Sequence, residues 1–172
     1  ELALSRLFPK YVTVIAEPGK YLVSNSVTLA TRILLRKDCF VSSTSENKNV
    51  HTKYYLGDGI YGSFKDAIFM NRRYIPSSFV VIQDGTRRVI PNTECSTSSQ
   101  SSLFGPTCDG IDKITEQLHL PPLHINDWML FSNLGAYSNV LSSEFNGIAT
   151  PKIHPLYFDP LGLLTNLSSQ PN

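Results

Sequence analysis

Apolar and β-branched residues in this chain come in short runs, each closed by glycine, proline or a polar cluster, and that punctuation constrains the fold most. Tyr11 to Ala16 is a continuous β-branched and aromatic run closed by Glu17-Pro18-Gly19, the pattern of a fully buried strand ending in a turn. Val27 to Leu35 is dense in apolar residues and stops at Arg36-Lys37-Asp38; strand and short helix both fit, and strand is the better reading. Lys53 to Leu56, Tyr74 to Gln83, Asp127 to Phe131, Asn139 to Phe145 and Lys152 to Phe158 read as further strands. Ser42 to Thr52 and Cys95 to Ser102 have the composition of solvent loops. Ile111, Ile114 and Leu118 mark one face of a short helix that ends at Pro121-Pro122. The expectation is a mostly β chain with long loops, no internal repeat and a frayed tail from Thr165 to Asn172.

With 172 residues, 41% of them hydrophobic and 17% charged, the chain can bury a core of single-domain size. Its 15 basic and 14 acidic residues are spread along the chain for a net charge of +1, which offers no basic face for nucleic acid and no polybasic tract for a membrane. Runs such as Ile33 to Leu35 and Leu161 to Leu164 are too short to span a bilayer, and the first residues lack a signal-peptide core, so the cytoplasm is the expected compartment. Cys39, Cys95 and Cys108 are an odd set without a C-x-x-C pair, which speaks for reduced thiols. His51, His119, His124 and His154 include no i,i+4 pair, so no metal is expected. The Asn166-Leu167-Ser168 triplet fits a glycosylation sequon, a pattern common by chance.

The turn Gly105-Pro106-Thr107-Cys108-Asp109-Gly110 sets a thiol beside a carboxylate. Asp109 precedes the expected short helix, where a carboxylate caps orphan N–H groups, with Asp112 three residues on as a weak capping-box analogue. Cys108 by itself reads as a small buried hydrophobe, since a neighbouring carboxylate opposes thiolate formation. A neutral thiol that gives up a proton, beside a carboxylate that binds an ammonium, is the functional alternative, and composition does not choose between them.

Other motifs bear on the choice. Glu17-Pro18-Gly19-Lys20, the stretch Tyr54-Tyr55-Leu56-Gly57-Asp58-Gly59-Ile60-Tyr61-Gly62-Ser63-Phe64, Gly105 to Asp112, Asp127-Trp128, Gly135-Ala136-Tyr137 and Phe145-Asn146-Gly147 occur in this order. Together, from about Leu7 to Phe158, they resemble the C-terminal part of the eukaryotic ornithine decarboxylases, pyridoxal-phosphate enzymes of the alanine-racemase-like fold type III.

The resemblance implies a C-terminal β-barrel or sandwich domain over residues 33–172, preceded by the last strand of a (β/α)8 barrel over residues 1–32, in a cytoplasmic homodimer whose sites are shared across the interface. It implies decarboxylation of ornithine to putrescine, with antizyme as a further possible partner. Glu17 would pair with the cofactor's pyridinium nitrogen, keeping the ring protonated, while Gly19, Lys20 and Tyr137 would hold its phosphate end. Asp58 and Asp109 would bind the distal ammonium of a diamino acid, Asp109 reaching in from the partner subunit. Cys108 would govern protonation of the substrate's α-carbon, Phe145 would line the shared site, and Asp112 and Gly135 would lie at the dimer contact. Lys20 stands where the family usually has arginine, which keeps the charge and loses the planar fork. The Schiff-base lysine, the ring-stacking histidine and the glycine-rich phosphate loop would belong to a barrel portion outside this chain, so these 172 residues alone are expected to be inactive. A non-catalytic homologue of the antizyme-inhibitor kind, and a decarboxylase of arginine, lysine or diaminopimelate, are the alternative readings.

Overall fold

The computed structural model describes residues 2–41 and 49–156. Strands β1 (Leu29–Val41), β2 (Asn49–Leu56), β3 (Ser78–Gln83), β4 (Thr86–Pro91), β5 (Ser99–Phe104), β6 (Lys113–Leu120) and β7 (Trp128–Phe131) dominate. The helices α1 (Leu2–Leu7), α2 (Gly19–Val23) and α3 (Asp66–Phe69) are short. The mostly β class read from the turn-punctuated runs is the class found.

The seven strands form one mixed sheet in the order β4-β3-β7-β1-β2-β5-β6, with β2 and β5 parallel and the other neighbours antiparallel. Strand β1 joins its two halves. Residues Leu29 to Arg32 pair with β7, whereas Ile33 to Val41 pair with β2, and an irregularity between Ile33 and Leu35 lets one strand serve both partners. Between the halves lies a core of Ile33, Tyr54, Leu56, Phe64, Phe79, Leu103, Leu120, Met129 and Phe131, all buried. Phe64 meets Tyr74 and Phe131 edge to face, with centroids 5.0 and 4.9 Å away. Asp127 pins the loop before β7, its carboxylate accepting from Ile82 N at 3.0 Å and His124 N at 2.8 Å.

Several expectations are corrected. Tyr11 to Ala16 is irregular, with Tyr11 87% and Ile15 79% exposed. A β-branched run becomes a buried strand only where neighbours complete its ladder and cover it, and among the described residues none does. The expected strand from Val27 continues through Arg36-Lys37-Asp38 to Val41, because Asp38 is satisfied there by Arg36 at 3.1 Å and by the Thr52 hydroxyl at 2.9 Å. Residues 49–52, placed in a loop by composition, belong to β2. The polar stretch ending at Ser102 contributes Ser99 to Ser102 to β5, where buried Ser101 donates to Ser99 O at 3.0 Å and the Ser102 hydroxyl lies 3.0 Å from His51 Nε2. Hydroxyls with partners inside the sheet do not oppose burial.

The expected helix after Ile111 is strand β6. Residues i and i+4 share a face in a helix and also in a strand, so the spacing of Ile114 and Leu118 fits both, and Ile111 is exposed. Asp109 therefore caps no helix. Strand β3 begins only at Ser78, and the turn residues Asn139–Leu141 and Phe145–Gly147 replace the strand expected from Asn139. There the Ser142 hydroxyl donates to Asn139 O at 2.5 Å, a local bond that competes with a ladder. Residues 152–156 are irregular, and the rest of that expected strand, the sequon and the tail from Thr165 lie outside the described residues.

Candidate functional site

Two loops are locked together by one buried carboxylate. Asp112 accepts from Ile60 N at 2.9 Å, from Thr107 N at 3.0 Å and from the Thr107 hydroxyl at 2.7 Å, tying the glycine-rich loop after β2 to the turn between β5 and β6. Gly59 and Gly105 flank it, and a Cβ at either would overlap its oxygens. Glycine is required here for close approach. Asp112, expected at a dimer contact, thus has its hydrogen bonds met within the chain.

Asp58 is buried and turned into its own loop, where Oδ1 accepts from Gly59 N at 2.8 Å and Ser63 N at 3.1 Å. Its Oδ2 is buried without a hydrogen-bond partner, and burial pushes the carboxyl pKa up. Asp58 and Asp109, expected to face one ammonium, share no hydrogen-bond partner here. Asp58 orders the loop that presents Tyr61.

Tyr61 leads to the second cluster. Its hydroxyl donates to Asp109 Oδ2 in a short hydrogen bond, and its ring stacks on Phe145 with centroids 4.0 Å apart. Asp109 Oδ1 accepts from Ile111 N at 3.1 Å, and the Asn146 amide lies 3.4 Å from Cys108 Sγ. The Tyr61 bond holds the Asp109 carboxyl below its ordinary value, and the carboxylate in turn raises the Tyr61 phenol to about 12. The Cys108-Asp109 pair and Phe145, read from two motifs, are thus one cluster, with Cys108 exposed rather than a buried hydrophobe. A carboxylate held ionised beside an accessible thiol can bind a cation and give up a proton.

A third group forms around α2. Lys20 Nζ lies 5.3 Å from the ring centroid of Tyr137, which is half exposed and adopts φ 55°. A bulky residue in the left-handed region is held there by its surroundings. Gly135 supplies them: its N–H donates to Ser24 O at 2.9 Å, and a Cβ would overlap the Val23 carbonyl. Gly135, expected at a dimer contact, packs inside the chain against the end of α2. Glu17 and Gly19 precede Lys20 and are exposed. Among the described residues no cluster of His, Cys, Asp and Glu could hold a metal, and no helix is long and apolar enough to cross a membrane.

Comparison with known proteins decides the family. The model of the pyridoxal-dependent decarboxylase C-terminal sheet domain matches residues 20–135. The chain belongs to this family. It is 38% identical over 157 residues to antizyme inhibitor 2 of Xenopus laevis, covering 88% of this chain and 32% of that protein. It is 37% identical over 163 residues to ornithine decarboxylase of Cricetulus griseus, covering 92% and 34%. Among solved structures it resembles the arginine decarboxylase of Paramecium bursaria Chlorella virus, with TM-score 0.62 and 33% identity over 86% of this chain and 36% of that one. The chain spans about a third of the length of these relatives.

The family's cofactor is pyridoxal phosphate, and the donors around α2 fit its phosphate: an ammonium at Lys20 next to the accessible phenol of Tyr137. Sequence reasoning missed Tyr61 and Asn146 as members of the cluster around Cys108 and Asp109. Tyr61 and Asn146 lay inside motifs already marked, and only their partners set them apart.

Proposed function

We propose that this chain is the C-terminal part of a pyridoxal-phosphate-dependent decarboxylase of a diamino acid, ornithine first. The observation that carries the reading is the joining of Cys108, Asp109, Tyr61 and Phe145 in one accessible cluster. Its groups suit the two ends of such a substrate. Asp109, kept ionised by the Tyr61 hydroxyl, binds the distal ammonium, and a substrate lacking that charge leaves the carboxylate unpaired. Phe145 and Tyr61 form an aromatic wall for the methylene chain. Pyridoxal phosphate, when bound, supplies a ring that takes up the electron pair left on the α-carbon as carbon dioxide departs. The Cys108 thiol gives its Sγ proton to that carbon and regains one from solvent, which completes the exchange of carboxylate for hydrogen.

Cys108 is exposed and Asp109 half exposed on a single chain, so a second surface must enclose them. A homodimer that shares its sites across the interface supplies one, and residues 1–32 are read as the end of the cofactor-binding barrel. Glu17, Gly19, Lys20 and Tyr137 face the cofactor in this arrangement. Asp58 acts from behind by shaping the Tyr61 loop.

The similarity to an antizyme inhibitor supports a second reading, in which the fold serves partner binding without catalysis. Release of labelled carbon dioxide by the full-length protein from ornithine, lysine and arginine separates the two. Turnover of ornithine at the highest kcat/KM is the expected result, preference for lysine or arginine revises the substrate, and release from none favours the second reading.

A further inference from the structure

Asp66, in the first turn of α3, is 3% exposed, and its Oδ2 is buried without a hydrogen-bond partner. The two cations near that oxygen are Lys20 Nζ at 3.5 Å and Arg72 at 3.9 Å. Arg72 is fixed elsewhere as well, donating to Asn133 O at 3.0 Å and lying 4.7 Å over the Tyr74 ring. Lys20 has the freer end: its side chain is 40% exposed, and its ammonium sits between Asp66 and the Tyr137 ring. A buried carboxylate is costly unless a cation stays beside it, so the desolvation that strands Asp66 Oδ2 also restrains Lys20.

We propose that Asp66 is a positioning residue that holds the Lys20 ammonium beside Tyr137 for contact with a phosphate monoester, the phosphate of the cofactor. The inference rests on the cofactor reading of Lys20 and Tyr137 given above. Lysine is a point charge on a flexible stem and lacks the planar fork that gives an arginine its direction toward phosphate. Asp66 restores that direction. One carboxylate against two cations leaves the cluster with a net positive charge, so the restraint does not cancel the attraction for a dianion. Asp66 touches no phosphate itself and acts through Lys20.

The test compares pyridoxal phosphate with pyridoxal, which lacks the phosphate, by titrating the full-length protein and following the absorbance of bound ligand. In Asp66→Asn the dissociation constant for pyridoxal phosphate is expected to rise roughly tenfold, the size of one positioned charge contact, while that for pyridoxal stays within about twofold. In a Lys20→Met background the same substitution adds nothing to the phosphate-dependent difference. Undiminished preference for the phosphorylated form in Asp66→Asn, or equal weakening toward both ligands, overturns the role of Asp66. A wild-type protein that binds both equally overturns the cofactor reading itself. Where Asp66→Asn does not fold, Asp66→Glu moves the charge by one methylene and is expected to reduce the preference; an unchanged preference overturns the proposal.

Discussion

The pairing of Tyr61 with Asp109 shows how one hydrogen bond sets the state of two groups. A raised phenol pKa means that its contribution is complete below the ordinary value of 10.0 and is lost as pH rises through about 12. The lowered Asp109 carboxyl works in the other direction, contributing above its ordinary 3.8 and losing that contribution as pH falls through the depressed value. The cluster is therefore in one state across the neutral range. The alkaline difference spectrum between the protein and Tyr61→Phe is expected to show a phenol with midpoint about 12, moving back toward 10.0 in Asp109→Asn; a midpoint already near 10.0 contradicts the bond. In turnover by the full-length protein, Asp109→Ala is expected to raise KM at least tenfold, the scale of losing a charged partner. Cys108→Ala is expected to retain cofactor binding and lower kcat or alter the product. Unchanged kinetics in both variants would leave the turn a purely structural element.

Loops here are positioned by carboxylates as much as by strands. Asp112 fixes the glycine-rich loop against the Cys108 turn because two glycines let its oxygens reach backbone N–H groups that no longer side chain would expose. Gly105→Ala is expected to destabilise the chain by roughly 2–3 kcal/mol, the scale of overpacking a tight site. Gly110→Ala, with nothing within 4 Å of its Cβ, is expected to cost under about 0.5 kcal/mol. Denaturant midpoints of the two variants check the contrast, and equal losses would remove the argument for close approach. Strand β6 carries a related lesson. Gln117 adopts φ 55° where the β5–β6 register shifts, and there Thr115 is buried beside Ile114 while Glu116 is exposed, so burial along the strand departs from strict alternation.

On the scale of the molecule, apolar side chains divide between a well-filled core and an uncovered N-terminal stretch. Leu7, Tyr11, Ile15, Tyr21 and Leu22 are all exposed. Grouped exposed apolar residues mark a surface that another body covers. The 172-residue chain by itself is expected to self-associate, with a sedimentation coefficient that rises with concentration. The double substitution Tyr11→Ser, Ile15→Ser is expected to reduce that rise and leave the thermal midpoint within about 2 °C, since neither residue enters the core. A large fall in midpoint would mean that the stretch stabilises the domain.

The sequence by itself determined the class, because turn-punctuated β-branched runs leave few alternatives to a sheet, and it marked candidate residues, because thiols, carboxylates and glycines are legible one by one. It located Cys108, Asp109, Phe145, Lys20 and Tyr137 without saying which of them meet. Only the tertiary structure decided that Asp112 ties the glycine-rich loop to the turn before β6, that Tyr61 is the partner of Asp109, and that Tyr11 to Ala16 is uncovered. The physical reason is common to all of these: the role of a carboxylate or an apolar run depends on which distant donors and neighbours the fold brings to it, and local composition carries no record of that.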